Sequence, residues 1–421
     1  MRWTLRFCLL MLTLWVAACG GGGHPVAPPT DFKVQAVGDT QVTLNWTSQP
    51  GVDYWVWFAP GTAMDDKNYD RANAWTKVSP PFVLKGTKSG QALVNGTTYS
   101  FTINARVGDA PGGAPAPIVT ATPRLAGQTW SAGPDVNGQT LRGVTSAALT
   151  TGVMLVGVGD SGQVQVSTDN VKWTVLSSSS TSKQLNDVLY AYGKFIAVGA
   201  GGTIIYSSDG QVWTAAVSQS AQDLNALYYN GSRLVAVGQG GTVLTSTDGV
   251  SWKAVAVDGL MQNLAAVTYS SSGYWLAAGS GGAVYSSTDG LSWKAIAMPT
   301  EFAAATWKSA AVLARSVTSG STLATLYVSA LVGQSGQIAT STDGVTWSQA
   351  SLVASSTNLN KVVSLAGQFM AVGDGGAIFN SPDGVTWTAR ESYISVPLRS
   401  VLRFDNAYTV YGQSGVTAIS R

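Results

Sequence analysis

A seven-residue box, S-x-D-G-x-x-W, recurs six times with small variations between residues 167 and 387. Four of the five intervals between successive boxes span 39 to 41 residues, and the remaining interval spans 54. Such a period indicates stacked supersecondary units, because one unit of this size buries its faces only against its neighbours. The boxes contain the aspartates Asp169, Asp209, Asp248, Asp289, Asp343 and Asp383 and the tryptophans Trp173, Trp213, Trp252, Trp293, Trp347 and Trp387.

Each interval predicts four short strands, which we call A to D. In one unit, repeating segments at 185–188, 195–199 and 201–205 precede the box of Asp209, and the fourth strand follows that box. A four-stranded unit cannot bury both of its faces alone, whereas units arranged around an axis can. The repeats therefore predict a β-propeller.

The two ends of the repeat region predict the number of blades. The pattern starts again at 398–416 but stops before a box, and a segment with Trp130 at 128–131 supplies the missing fourth strand. This closure removes the free strand edges that invite aggregation. We predict a seven-bladed propeller over residues 128–421.

The residues that recur in the boxes are expected to have structural roles. Each aspartate is expected to cap its own turn, the following glycine supplies the positive φ that a tight turn needs, and the tryptophan packs between blades. Glycine-rich segments at 199–202, 238–241 and 373–376 lie between two strands and lack a following Lys-Ser or Lys-Thr. They are expected to be hairpin turns rather than phosphate-binding loops.

The boxes resemble the Asp-box of bacterial sialidase-type repeats and the propellers of photosystem II assembly factors, which share the unit L…V…VG..G.I..S.DG..W. Here the aspartate and tryptophan are one residue closer than is usual in those families. A sialidase would need an arginine triad, an activated tyrosine with its glutamate, and an acidic aspartate. The arginines here are scattered, and the only glutamates, Glu301 and Glu391, fall in connections between blades. We therefore predict that the chain is not an enzyme.

Residues 30–124 alternate in the manner of β-strands and are bounded by prolines. Trp46, Tyr54, Leu93 and Tyr99 lie where a fibronectin type III domain has its core tryptophan, core tyrosine and tyrosine corner, and the segment resembles that family along its whole length. The resemblance implies an immunoglobulin-like sandwich that serves as a spacer or adhesive module. The fold class predicted for the whole chain is all-β.

Two tryptophans of this first domain face away from its predicted core. Trp55 and Trp57 alternate with Tyr54 and Val56, so their side chains point to the opposite face of the strand. They either pack against neighbouring strands or the next domain, or form a platform that binds sugar or protein.

The N-terminus has the pattern of an exported protein. Arg2 and Arg6 precede an apolar stretch at 7–16, and Val16-Ala17-Ala18-Cys19 follows. This resembles a bacterial lipobox, which implies a signal peptide at 1–18, lipidation of Cys19 and a Gly/Pro tether at 19–29. Gly20 after the cysteine favours the outer membrane in lipoprotein sorting. The alternative is an ordinary signal peptide cleaved after Ala18.

Composition excludes several classes of function. The chain has 24 basic and 22 acidic residues, and loss of Arg2 and Arg6 makes the counts equal, which gives no electrostatic basis for binding nucleic acid. The single histidine, His24, excludes a histidine-based triad or metal site in the folded part. We expect no cofactor and no metal.

The connections from strand D to the next strand A, and from B to C, share one face of the propeller and vary most in sequence. Arg142 and Arg399 hold the same repeat position in neighbouring blades and could form a basic spot, or be ordinary solvated residues. The residues proposed for binding are Arg142, Glu301, Phe302, Trp307, Glu391, Tyr393, Arg399, Trp55 and Trp57.

The predicted function is that of a lipid-anchored envelope protein whose propeller binds or assembles another protein. The alternative is a carbohydrate-binding or sialidase-like surface protein, with Trp55, Trp57, Trp307 and Tyr393 stacking on sugar and Glu301, Glu391 or Asp374 as acids. A third alternative is that the protein only decorates the envelope.

Overall fold

The computed structural model describes residues 23–319, 322–352 and 356–420. Across these ranges the chain forms β-strands, turns and short 3-10 segments, without an α-helix, and no helix there has the length and apolarity to cross a membrane. The predicted signal peptide, Cys19 and the tether up to residue 22 lie outside the described residues. Contacts divide the chain into two units between Arg124 and Leu125. The prediction of an all-β chain is confirmed.

The first unit consists of two sheets around one core. Its strands are β1 (His24–Val26), β2 (Lys33–Gly38), β3 (Gln41–Asn45), β4 (Asp53–Pro60), β5 (Asn73–Thr76), β6 (Phe82–Leu84), β7 (Tyr99–Val107) and β8 (Val119–Ala121). One sheet has the order β1-β7-β4-β5, with β8 also on β7, and the other has the order β2-β3-β6. Alternating side chains such as Leu44, Val56 and Ile103 fill the space between them. Membership of the fibronectin type III family stays a prediction.

The start of this unit differs from the predicted tether. His24, Pro25 and Val26 pair with Val107, Arg106 and Ala105 in an antiparallel register. Residues 24–26 therefore form a strand at a sheet edge, where backbone hydrogen bonds hold them against β7.

The second unit contains seven antiparallel sheets, one for each blade. Strands A to D of blade one are Leu141–Leu149, Gly152–Gly159, Val164–Ser167 and Thr174–Val175; those of blade two are Leu185–Ala191, Lys194–Gly199, Ile204–Ser207 and Thr214–Ala216; and those of blade three are Leu224–Tyr229, Leu234–Gly238, Val243–Ser246 and Lys253–Ala254. Blade four has Leu264–Ser270, Tyr274–Gly279, Val284–Ser287 and Lys294–Ala295, and blade five has Trp307–Ser319, Thr322–Gly333, Ile338–Ser341 and Ser348–Gln349. Blade six has Leu359–Leu365, Gln368–Gly373, Ile378–Ser381 and Thr386–Arg390, and blade seven has Leu398–Phe404, Ala407–Gly412, Thr417–Ser420 and, as its strand D, Ser131–Ala132. Blade six also carries Ser351–Leu352, parallel to its strand D.

The blades form a closed ring. The innermost strand of each blade contacts that of the next, and Leu398–Phe404 of blade seven contacts Leu141–Leu149 of blade one. The last blade takes its outer strand from the other end of the region, because Ala132 pairs with Ala418 and Ser131 with Ile419. This arrangement is a β-propeller, as the repeats predicted.

The propeller has two distinct ends because its strands alternate in direction. The A–B turns lie at the same end as the boxes, which connect C to D, and we call this end the box face. The B–C and D–A connections lie at the opposite end, the loop face. The long interval before Asp343 is explained mainly by the A–B hairpin of blade five, whose strands of 13 and 12 residues exceed those of every other blade.

Candidate functional site

The aspartate of each box caps its own turn through one carboxylate oxygen. The Asp248 carboxylate accepts hydrogen bonds from the backbone N–H groups of Val250 (2.8 Å) and Ser251 (2.7 Å) and from the Ser246 hydroxyl (3.0 Å). The other five aspartates make the same three contacts. Donation by these N–H groups lowers the pKa of Asp248 to about 2. The carboxylates are therefore ionised caps rather than free acids.

The tryptophan of each box packs against the preceding blade. Trp252 of blade three lies in one cluster with Ile196 and Val198 of blade two. The indole N–H of Trp213 donates to the carbonyl of Gly210 in its own box at 3.0 Å. Gly210 has a φ of +76° and lies against Val156 of blade one. A Cβ added at residue 210 would lie 3.2 Å from a methyl carbon of Val156. These residues hold blades together.

One position in the innermost strands has a different role. The second residue of each innermost strand is extra in the antiparallel register and forms a β-bulge in all seven blades. A bulge re-aims a side chain out of the ladder and is common beside functional sites. All seven bulge residues line one cavity of about 600 Å³ among the innermost strands. They are Arg142, Asn186, Asn225, Ala265, Lys308, Asn360 and Arg399.

Asparagines at the bulge position connect adjacent blades. The side-chain amides of Asn186, Asn225 and Asn360 donate to the first backbone carbonyl of the next innermost strand, at 2.7 to 3.0 Å. The three cations at this position do not make that contact. They lie in blades five, seven and one, on an arc that also holds Asn360 of blade six, and we call it the cationic arc. Blades two, three and four carry only neutral amides or alanine at this position.

The three cations differ in how they are satisfied. Arg142 pairs with Asp160 of its own B–C turn at 2.7 Å. Lys308 donates to the side-chain oxygen of Asn360 at 3.1 Å. Arg399 makes no hydrogen bond or ion pair with any described residue. Arg399 as a residue is half-buried, so part of it is exposed to solvent.

A charged pair spans the cavity one residue further along the strands. Lys361 of blade six lies 3.3 Å from the carboxylate of Asp187 of blade two. Asp187 is 8% exposed and also accepts from the backbone N–H of Leu227 at 3.3 Å. Asp187 is the only acid among the described residues that line the cavity, against four cations.

Asp374 lies near this cluster in the B–C turn of blade six. Burial raises the pKa of Asp374, but hydrogen bonds from Asn360 and Asn358 and the charges of Arg399 and Lys308 outweigh it, so the pKa falls below its usual value. Burial and the Arg399 charge lower the pKa of Lys308 despite the opposing effect of Asp374. Asp374 is thus an ionised neighbour whose two oxygens are already held by amides at 2.8 and 2.9 Å.

Several predicted binding residues lie elsewhere. Tyr393 is 85% exposed in the connection between blades six and seven, and Glu301 and Glu391 are exposed in connections at the same face. Phe302 and Trp307 are 1% and 0% exposed, with ring centroids 5.3 Å apart. Their prediction as binding side chains is corrected, because they pack into the core between blades four and five.

The predicted platform of the first unit is occupied by that unit's own side chains. The Arg106 guanidinium lies over the Trp55 ring at 3.4 Å from its centroid. The Trp57 indole donates to Asn104 at 3.2 Å and meets Tyr69 edge-on at 5.5 Å. Both tryptophans are half-buried and pack against side chains of their own unit, and a role of their remaining exposed surface in binding sugar or protein stays a prediction.

Sequence reasoning found Arg142 and Arg399 but missed the other members of the cavity. Lys308, Lys361 and Asp187 fall in the same repeat frame, two or three residues into the innermost strand. An alignment of the seven strand starts would have shown that blades five, six, seven and one each carry a cation at the second or third residue of the innermost strand. No group of histidine, cysteine or acidic side chains suited to a metal ion occurs in the ranges that the structure describes.

Comparison with known proteins gives the fold. No family model matches the chain, and no curated protein matches its sequence. The structure of YCF48 from Cyanidioschyzon merolae is similar over 70% of this chain and 98% of its own, with 15% identity and a TM-score of 0.52. A structure of YCF48 bound to D1 peptide has 17% identity and a TM-score of 0.53, covering 71% of this chain and 99% of that one.

A third neighbour bears on catalysis. Virginiamycin B lyase from Staphylococcus aureus is similar over 69% of this chain and 98% of its own, with 8% identity and a TM-score of 0.56. This neighbour is an enzyme with a propeller fold. The prediction that the chain is not an enzyme is therefore wrong, because the propeller architecture also supports catalysis. At this identity the two proteins share the fold alone.

Proposed function

We propose that the propeller is a binding scaffold for another protein and that its loop face makes the contact. The observation that carries this proposal is the cationic arc at the bulge position, where Arg399 has no partner among the described residues. An unpaired, solvent-reaching arginine is suited to bidentate recognition of a carboxylate.

Exposed side chains around the arc extend the proposed contact. Tyr393 is 85% exposed in the connection that leads to Arg399, and tyrosine is enriched in protein interfaces. The similarity in fold to YCF48, which is bound to D1 peptide in one structure, supports peptide binding as a use of this architecture.

The remaining parts of the proposal concern location. We propose that Cys19 is lipidated after removal of residues 1–18, that the protein is anchored in the cell envelope at the outer membrane, and that the first unit is a fibronectin type III spacer. The lipobox-like segment Val16-Ala17-Ala18-Cys19 supports the anchor. Radiolabelled palmitate should label the full chain in cells, and the Cys19→Ser variant should lose the label and remain uncleaved.

In-cell photo-crosslinking tests the contact. A photoreactive residue at Tyr393 or at Glu301 should capture the same envelope protein, whereas a probe at Lys172, which is exposed on the box face, should not. Arg399→Gln should reduce the yield from Tyr393. Capture of the same protein from all three positions, or from none, would contradict the loop-face proposal.

A further inference from the structure

The interior of the propeller combines two chemical environments. The arc of Arg142, Lys308 and Arg399 lies where the innermost strands begin. Further along the same strands the lining includes apolar side chains, which alternate with hydroxyls and with the Asp187–Lys361 pair. The apolar residues are Leu227, Val267, Ala311, Val312, Val363 and Leu365. The cavity is thus positive at the loop face and gains apolar surface towards the box face.

The size of the cavity suits a small molecule. Its volume of about 600 Å³ lies within the range of roughly 300–1,000 Å³ typical of small-molecule sites. Such sites are usually apolar cavities with a few placed polar groups, and this one combines apolar side chains with polar and charged ones in similar measure.

The charges leave one positive charge uncompensated. Arg142 and Lys361 are neutralised by ion pairs with Asp160 and Asp187. Lys308 and Arg399 share Asp374 as a neighbouring negative charge, yet neither forms an ion pair with it. Two cations and one carboxylate leave a net charge of +1, which matches a monoanion.

The bulge geometry explains why these two side chains are available. In blades two, three and six the residue at this position is an asparagine that bonds the next blade. At the same position Lys308 donates to the Asn360 side chain of the next blade at 3.1 Å, and Arg399 makes no hydrogen bond with a described residue. Both cations line the cavity, and an anion between them would offset the desolvation that their partial burial imposes.

We propose that the axial cavity binds a small amphipathic monoanion, with its carboxylate between Lys308 and Arg399 and its apolar body along the apolar lining. Arginine offers two parallel N–H donors to a planar carboxylate. The apolar walls contribute by removing the body of the ligand from water. This site shares Arg399 with the proposed protein contact, whose other residues, such as Tyr393, are exposed around the cavity.

Calorimetric titration of the purified chain, residues 23–421, with octanoate tests the site. Octanoate should bind with one site per chain, whereas 1-octanol and octylammonium should bind at least ten times more weakly. Arg399→Gln and Lys308→Gln should each weaken octanoate binding about ten-fold or more, the loss expected for a charged hydrogen bond. Arg71→Gln and Lys172→Gln, matched changes at exposed sites outside the cavity, should leave it unchanged.

A second measurement covers the case in which a variant fails to fold. In the unmodified protein, octanoate should protect Lys308 from acetic anhydride, as measured by mass spectrometry, while Lys172 stays equally reactive. Absence of octanoate binding, equal binding of 1-octanol, or unchanged reactivity of Lys308 would overturn the proposal. Because Arg399 belongs to both proposals, Lys308→Gln distinguishes them: it should weaken octanoate binding and leave the crosslink from Tyr393 unchanged.

Discussion

The side-chain oxygen of Asn170 accepts a hydrogen bond of 2.6 Å from the hydroxyl of Tyr411, which lies 241 residues later in the chain. The amide of Asn170 also donates to the Thr409 hydroxyl at 2.8 Å. Asn170 belongs to the box of blade one, and its two partners belong to blade seven. Asn170 is the residue that replaces the usual glycine of the box, and its φ of +59° is one that asparagine tolerates. The exception in the repeat therefore lies at the closure of the ring.

Removal of this contact should weaken ring closure. Tyr411→Phe leaves the buried oxygen of Asn170 without its donor, and an unsatisfied buried group costs about 1–3 kcal/mol. We expect the free energy of unfolding in urea to fall by that amount. Tyr408→Phe, at the same blade but away from this junction, serves as a comparison for hydroxyl loss.

The replacement Asn170→Gly tests the same junction from the other side. Glycine satisfies the backbone conformation but makes neither hydrogen bond. Its effect should not add to that of Tyr411→Phe, because both changes remove one shared interaction. Strictly additive losses would show that the two residues act separately.

The boxes should make the propeller sensitive to acid. Hydrogen bonds from the turn N–H groups lower the pKa of Asp248, Asp289 and Asp343 from 3.8 to about 2. A folded pKa below the unfolded value stabilises the protein above pH 4, and this contribution is lost as the pH falls from 3.8 through about 2. The midpoint of thermal unfolding should therefore drop steeply over that interval.

A variant shows whether the caps cause the drop. Asp248→Asn should lower the midpoint at pH 7 and reduce its further decline between pH 4 and pH 2. Asp258→Asn, at an exposed aspartate in the connection after blade three, should behave like the unmodified protein at both pH values. An unchanged acid profile in Asp248→Asn would exclude the cap as the source.

Two aromatic residues that the sequence analysis proposed for binding should differ in how much they stabilise the fold, because one is buried and the other is exposed. Trp307 is 0% exposed and packs with Phe302, whereas Tyr393 is 85% exposed. Trp307→Ala should cost about 3–5 kcal/mol through lost packing and a cavity, and Tyr393→Ala should change stability by less than about 0.5 kcal/mol. Urea denaturation of both variants measures this directly, and comparable losses would contradict the assignment.

Much of the fold could be predicted because each sequence repeat corresponds to one blade. Strict periodicity of the boxes indicated the propeller, and the missing box after Trp387 indicated the strand that Ser131–Ala132 supplies. The blade-five hairpin was harder to predict. Its 54-residue interval indicates extra residues, but the sequence does not show that most of these residues extend the paired strands Trp307–Ser319 and Thr322–Gly333.

The site was less predictable for two physical reasons. A β-bulge is a register property of paired strands, so nothing in the residues around Lys308 alone shows that its side chain leaves the ladder. Contacts across the ring join residues far apart in sequence, such as Asp187 and Lys361, 174 residues apart. By contrast, burial of Trp307 depends on its being the first residue of an innermost strand, a boundary that periodicity locates only within a few residues.

The pair across the cavity should stabilise the ring from within. Asp187 is 8% exposed, and the Lys361 side chain is 28% exposed, so screening by solvent is partial. Asp187→Asn keeps the acceptor for the Leu227 N–H but leaves Lys361 uncompensated beside three other cations. We expect a loss of about 1–3 kcal/mol, less than for a fully buried pair.

The double variant distinguishes pairing from the mere loss of an acid. Asp187→Asn combined with Lys361→Met removes both charges and should recover part of the stability lost in Asp187→Asn alone, because no unpaired cation remains. Raising the salt concentration from 0.05 to 1 M should likewise narrow the gap between Asp187→Asn and the unmodified protein. The double variant would contradict this explanation if it were less stable than the sum of the two single changes predicts. In that case Lys361 itself stabilises the ring, and Asp187 does not act by offsetting repulsion among the cations.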